Sequence, residues 1–169
     1  MSTVGPELLT QLVDQHSAAL VLYARQWSET PEDIVQEALL QLVRQPAAPE
    51  NAVGWLYRVV RNSAISAVRS AGRRSRREAA VACRDEPWFD PAPAERLDAA
   101  AATDALKHLP IEQREVIVAR LWGGLSLEQV AALTGCSTST AHRRYEAGLA
   151  ALRERLGVVC AQKKNSGRI

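Results

Sequence analysis

Residues 125–156, LSLEQVAALTGCSTSTAHRRYEAGLAALRERL, hold the decisive pattern. Ser126 stands where a helix N-cap is expected, and Gln129 follows three residues on, the spacing of a capping box. Leu127, Val130, Ala131 and Leu133 then recur as an apolar stripe. Gly135 falls where that helix must stop and the chain must turn, a place that favours a residue tolerating positive φ. Ser137 caps a second helix, whose expected buried stripe is Ala141, Tyr145, Leu149, Leu152 and Leu156. The early outer face of this second helix is Thr138, Ser139, His142 and Arg143, with Arg144 beside them. Short hydroxyls and arginines at the N-terminal end of a second helix suit the reading of a DNA major groove, and the whole is a helix-turn-helix pattern. The same spacing also fits an ordinary αα-hairpin with a polar outer surface, so the rest of the chain has to decide.

The chain has 169 residues and a formal net charge of +2, which suits one or two small domains. Aromatic residues make up 5% while Ala and Leu are abundant, a balance that favours helices over sheets. No apolar run is long enough for a membrane span and no signal peptide is evident, so a cytoplasmic protein is expected. Cys83, Cys136 and Cys160 form no CxxC pair, and reduced thiols are the simplest reading. Charge is unevenly placed. Seven arginines and no acidic residue lie between Arg58 and Arg77, and the remainder carries 14 basic against 19 acidic residues. One strongly basic segment on an otherwise acidic chain implies a localised site for a polyanion.

Working outward, Pro6 to Gln26 has a helical stripe of Leu8, Leu9, Leu12, Val13, Ala19, Leu20 and Tyr23. Thr30-Pro31-Glu32-Asp33 is a helix start: a capping hydroxyl, Pro at the first position, then carboxylates at the positive end of the dipole. The helix that follows is expected to bury Ile34, Val35, Ala38, Leu39, Leu42 and Val43, leaving Asp33, Gln36, Glu37 and Leu40 outside. A third helix is expected over 52–70, burying Val53, Leu56, Tyr57, Val60, Ala64, Ala67 and Val68. Its other face carries Trp55, Arg58, Arg61, Asn62, Ser66 and Arg69, and Arg73 and Arg74 follow. Guanidinium groups beside a ring and an amide suit a phosphate backbone with an exposed base.

Residues 83–102 have no helical period and contain Pro87, Pro91 and Pro93, the marks of a linker. Trp88-Phe89 within it is expected to dock locally as an apolar anchor. Helical spacing resumes at Thr103, and Ile111 to Trp122 is apolar enough to be the central buried helix of the second half. The expected architecture is all-α, with two small helical domains, 6–77 and 103–157, joined by a flexible linker over 78–102. No Gly-rich phosphate loop, catalytic triad, carboxylate pair or metal-ligand spacing stands out, so neither enzymatic activity nor a cofactor is expected.

Three runs resemble the extracytoplasmic-function sigma factors of bacterial RNA polymerase: PEDIVQEALLQLVR, WLYRVVRNSAISAVRSAGRR, and LPIEQREVIVARLWGGLSLEQVAALTGCSTSTAHRRYEAGLAALRERL. They stand in that family's order and spacing. The resemblance implies a promoter-recognition subunit that initiates transcription, with core RNA polymerase and promoter DNA as partners. An anti-sigma factor, common in the family, is a further implied partner. It places Asp33, Gln36, Glu37 and Leu40 at the core polymerase. It places Trp55, Arg58, Arg61, Asn62, Ser66, Arg69, Arg73 and Arg74 at the −10 element. Ser137, Thr138, Ser139, His142, Arg143 and Arg144 fall at the −35 element. Two positions depart from the pattern: Ser66 stands where the family often has an acidic residue, and Ala141 where helix-turn-helix sequences usually have a larger aliphatic. The competing reading is a conventional helix-turn-helix regulator that binds duplex DNA without polymerase.

Overall fold

The computed structural model describes residues 4–75 and 96–157. Most of the expected linker, with Trp88-Phe89 and Cys83, lies outside the described residues, as does Cys160. Among the described residues every regular element is a helix: α1 (Pro6–Ala24), α2 (Pro31–Val43), α3 (Ala52–Ser75), α4 (Arg96–Lys107), α5 (Ile111–Leu121), α6 (Leu127–Thr134) and α7 (Thr138–Arg155). The first three pack on one another. In the second half α5 lies against α6 and α7, and α4 rests on α7.

Local chemistry accounts for most boundaries. Pro6 and Pro31 each open a helix at its first turn, where a missing N–H costs nothing. The capping box of α6 is complete: Ser126 Oγ accepts from the Gln129 backbone N–H at 3.2 Å, and Gln129 Oε1 accepts from the Ser126 N–H at 2.8 Å. Gly135 ends α6 at φ +69°, and the Cys136 N–H reaches back to the Ala131 carbonyl at 3.0 Å. Ser137 Oγ accepts from the Thr140 N–H at 3.2 Å and starts α7.

Several expectations need correction. Thr30 occupies the N-cap of α2, but its hydroxyl makes no cap bond; instead its own N–H donates to Ser28 Oγ at 3.1 Å. Helix α1 ends at Ala24, two residues before the expected Gln26, and α3 continues to Ser75 through Gly72. Because α3 outruns the body it packs on, Ala67 and Val68 are exposed although they share the apolar spacing. Val13, Val43 and Leu156 are likewise exposed, each at the edge of its stripe or the end of its helix. Helix α4 starts at Arg96, seven residues ahead of the expected Thr103, so the stretch 96–102 is helix rather than linker.

The largest difference concerns the two halves. The linker suggested independent units, yet one contiguous core runs through both: Leu20, Tyr23, Leu56 and Tyr57 from the first, Leu106, Ile117, Val130 and Leu152 from the second. Helix α1 packs on α5, and α3 on α6. The Tyr23 ring meets Trp27 and Tyr57 edge to face at 5.2 and 5.0 Å. At the seam Gly123 has no room for a side chain, since a Cβ there would stand 2.5 Å from both the Tyr57 hydroxyl and the Ala119 carbonyl. Gly148 serves α5 and α7 in the same way, as a Cβ would fall 2.9 Å from Ile117 Cγ1.

Candidate polymerase and nucleic-acid interfaces

Three surfaces carry the singled-out residues. On α2, Asp33, Gln36, Glu37 and Leu40 are all exposed on the side away from the buried Val35, Ala38 and Leu42. Glu37 is loosely held, with Arg44 at 3.7 Å and a 3.4 Å bond from Gln41 Nε2. Exposed Val43 adjoins this face near Leu40 and gives an acidic-polar helix surface an apolar end.

On α3, Arg58, Asn62, Ser66 and Arg69 are exposed and Trp55 is half-buried against the core. At about 100° per residue these five fall within a stripe about 80° wide. Arg73 and Arg74 lie in the last turns of the helix. Trp55 and Arg58 also line a crevice of about 260 Å³ closed on its other side by Gln129, Ala132 and Leu133 of α6.

Arg61 leaves this company. It sits about 120° round the helix from Trp55. Its Nε donates to Glu115 Oε1 at 2.5 Å and its Nη2 to Oε2 at 3.5 Å. The Tyr23 hydroxyl donates to the same Oε1 at 2.6 Å. Glu115 belongs to α5, is only 5% exposed, and so owes its burial to a cation and a hydroxyl from the other half. Burial, reinforced by the adjacent carboxylate, pushes the Tyr23 hydroxyl well up, so it remains a proton donor. The hydrogen bond to Glu115 holds Arg61 above the usual guanidinium range.

On α7, Ser137, Thr138, Ser139, His142 and Arg143 are exposed at the N-terminal end and Arg144 is half-buried. Ala141, Gly148 and Leu152 face inward, with Tyr145 and Leu149 partly covered. Thr140 organises the first turn: its hydroxyl lies 2.9 Å from Ser137 Oγ and accepts from Arg143 Nη2 at 3.5 Å. His142 Nε2 stands 3.7 Å from Glu146 Oε1, so the outer face also carries a carboxylate. Among the described residues no group of three His, Cys, Asp or Glu side chains is placed to hold a metal ion, and no helix is long and apolar enough to cross a membrane.

Residues 12–74 match the family described as Sigma-70 region 2, and residues 99–152 match Sigma-70, region 4. RNA polymerase sigma factor CarQ of Myxococcus xanthus is 32% identical over 134 residues, covering 75% of this chain and 74% of that protein. The chain belongs to the extracytoplasmic-function sigma factors. Within this family the ECF RNA polymerase sigma factor SigE of Mycolicibacterium smegmatis is 33% identical over 156 residues, covering 86% of this chain; the chain spans 60% of that relative's length. Among solved structures, the sigma factor RpoE of Bartonella quintana, crystallised with the anti-sigma factor NepR, superposes with a TM-score of 0.72 at 27% identity, covering 92% of this chain and 99% of that one.

Set on this sigma factor, α2 and α3 lie in region 2, and α5, α6 and α7 lie in region 4. Sequence reasoning missed Glu115, Glu146 and Val43. Glu115 had one usable signal: it stands three and four residues before the apolar Val118 and Ala119, on the same face of α5. Arg61 had another, its angle on the α3 wheel, which sets it nearer the core than the exposed stripe.

Proposed function

We propose that this chain is a promoter-recognition subunit of RNA polymerase, which docks on the core enzyme in the cytoplasm and directs it to −10 and −35 elements. The observation that carries the reading is the presence of both regions, in order, on one chain whose α3 and α7 each present an exposed basic surface. A regulator acting without polymerase has no use for region 2. In this reading 6–77 binds core polymerase and the −10 element, and 96–157 binds the −35 element. Asp33, Gln36, Glu37 and Leu40, with Val43 added, form a helix-on-helix contact with the polymerase. Charged groups there confer orientation, and the exposed apolar pair contributes area removed from water.

Arg58, Arg69, Arg73 and Arg74 would neutralise phosphates while Trp55, Asn62 and Ser66 meet an unstacked base. Opening DNA costs a few kcal/mol per step, and a ring on which a base can stack offsets part of it. Ser137, Thr138, Ser139, His142, Arg143 and Arg144 face the major groove at −35, with backbone amides of the first turn of α7 available to a phosphate. The chemistry of RNA synthesis stays with the polymerase; this chain contributes binding and strand opening. An anti-sigma protein is a further expected partner, by likeness to the RpoE–NepR pair. The test is co-purification of the full chain with core RNA polymerase in the absence of DNA, then promoter-directed transcription by the reconstituted enzyme. Binding to duplex DNA without retention of core would refute the reading.

A further inference from the structure

Glu146 is out of place on the outer face of α7, a carboxylate beside a histidine and arginines on a helix proposed to lie against DNA. We propose that Glu146 is a specificity-determining residue of the −35 surface, whose carboxylate accepts a hydrogen bond from the exocyclic amine of a cytosine in the major groove. The inference rests on the reading of α7 as the −35 helix and adds a base to it.

The helical period puts Glu146 in the middle of that surface. At about 100° per residue it stands between His142 and Arg143, about 40° from the first and about 60° from the second. The buried Ala141, Gly148 and Leu152 lie on the opposite side of the helix. The rise from Thr138 to Glu146 is about 12 Å, close to the width of the major groove, so a helix that enters at Thr138 still has Glu146 inside the groove. The Glu146 side chain is 68% exposed, and the ion pair it makes is a loose one, 3.7 Å from His142 Nε2 to Oε1. The guanidinium one turn back is engaged elsewhere, since Arg143 Nη2 donates to the Thr140 hydroxyl at 3.5 Å. The carboxylate therefore keeps accepting capacity for a ligand.

Charge decides what that ligand can be. Phosphate oxygens repel a carboxylate, as do the acceptors of guanine and thymine, so an anion on this face weakens binding to every sequence unless a base donor meets it. The major groove offers two such donors, the N4 amine of cytosine and the N6 amine of adenine. Adenine carries its N7 acceptor beside N6, which suits an amide with one donor and one acceptor but opposes the second oxygen of a carboxylate. Cytosine carries a C–H beside N4 and leaves that oxygen unopposed. Glu at this place therefore selects cytosine, and Gln there selects adenine. His142 and Arg143, on either side, are donors suited to the guanine acceptors of the same or a neighbouring base pair.

Sequence selection by the reconstituted holoenzyme tests this, with a duplex library randomised across the promoter region as the probe. Wild type should enrich an upstream element with cytosine at one position read by α7. In Glu146→Ala the discrimination at that position should fall about tenfold while the other positions hold. Glu146→Gln should move the same preference to adenine. Glu146→Ala should also bind mixed-sequence duplex more tightly than wild type, a gain that fades as salt is raised. Both replacements are good helix formers on an exposed face, so the circular dichroism of each full-length variant should match wild type. If Glu146→Ala enriches the same upstream element as wild type, Glu146 is a solvated helix residue and the inference is overturned. A wild type that enriches a −10 element and no upstream one would instead refute the −35 reading of α7, and this inference with it.

Discussion

Gly148 gives the sharpest test of how region 4 is assembled. It is buried in the seam between α5 and α7, and a Cβ there would lie 2.9 Å from Ile117 Cγ1 and 3.3 Å from Cδ1. Carbon atoms prefer about 3.5–4.0 Å, so an added methyl overlaps Ile117 by more than half an ångström at its nearest point. The overlapping atom is near the branch of a β-branched side chain that is itself fully buried, so it cannot swing away as a chain end would. Overpacking of this kind costs about 1–3 kcal/mol. Opposing it, replacing Gly by Ala inside a helix returns about 1 kcal/mol. Gly148→Ala should therefore fall between neutral and about 2 kcal/mol destabilising. Gly148→Leu, with more volume and no further propensity gain, should lose about 3 kcal/mol or more. Exposed Ala147→Leu on the same helix is the control and should stay within about 0.5 kcal/mol of wild type. Urea unfolding of the full chain, followed by far-UV circular dichroism, measures all three. Because α7 carries the proposed −35 contacts at its other end, Gly148→Ala should also lower −35 affinity as the helix is pushed off its seat. If Gly148→Leu is as stable as wild type, α5 and α7 do not cross at this point and the placement of the recognition helix is wrong.

Three further outcomes are expected. Tyr23→Phe removes a 2.6 Å bond to a buried carboxylate and should cost about 1.5–3 kcal/mol in denaturant melts; no loss would mean Glu115 is satisfied without it. Ser126→Ala deletes one arm of the capping box and should cost about 1 kcal/mol, less in a Gln129→Ala background because the two bonds are reciprocal; additive losses would argue against the box. Arg143→Ala touches only an exposed side chain and should leave the melting curve unchanged while weakening holoenzyme binding at −35. Titration against single-base promoter variants then separates a base contact, with about 1–3 kcal/mol of lost discrimination at one position, from a phosphate contact that weakens all sequences alike.

The elements were legible because their signals are local. Ser126 with Gln129, Gly135 at positive φ, Ser137, and prolines at the first turns each act on a backbone within four residues, so spacing alone locates them. The inward faces of α2 and α7 follow from the helical period for the same reason. Stripe edges were misplaced where a helix runs past what it packs on, as at Val43, Val68 and Leu156, since periodicity records a face but not the length of the neighbour covering it.

How the two halves meet is a different kind of fact. Tyr23 and Glu115 are 92 residues apart and Arg61 and Glu115 are 54 apart, with a proline-bearing stretch between. The wheel angle of Arg61 hints at an inward side chain, but nothing within reach of either residue's own helix names the distant partner that holds it. By itself, the amino-acid sequence determined an all-helical chain with a helix-turn-helix, a polar α2 face and a basic α3. Only the tertiary structure decided that the halves share a core and that Arg61 faces inward, because a buried charge pair exists only once both partners have left water together.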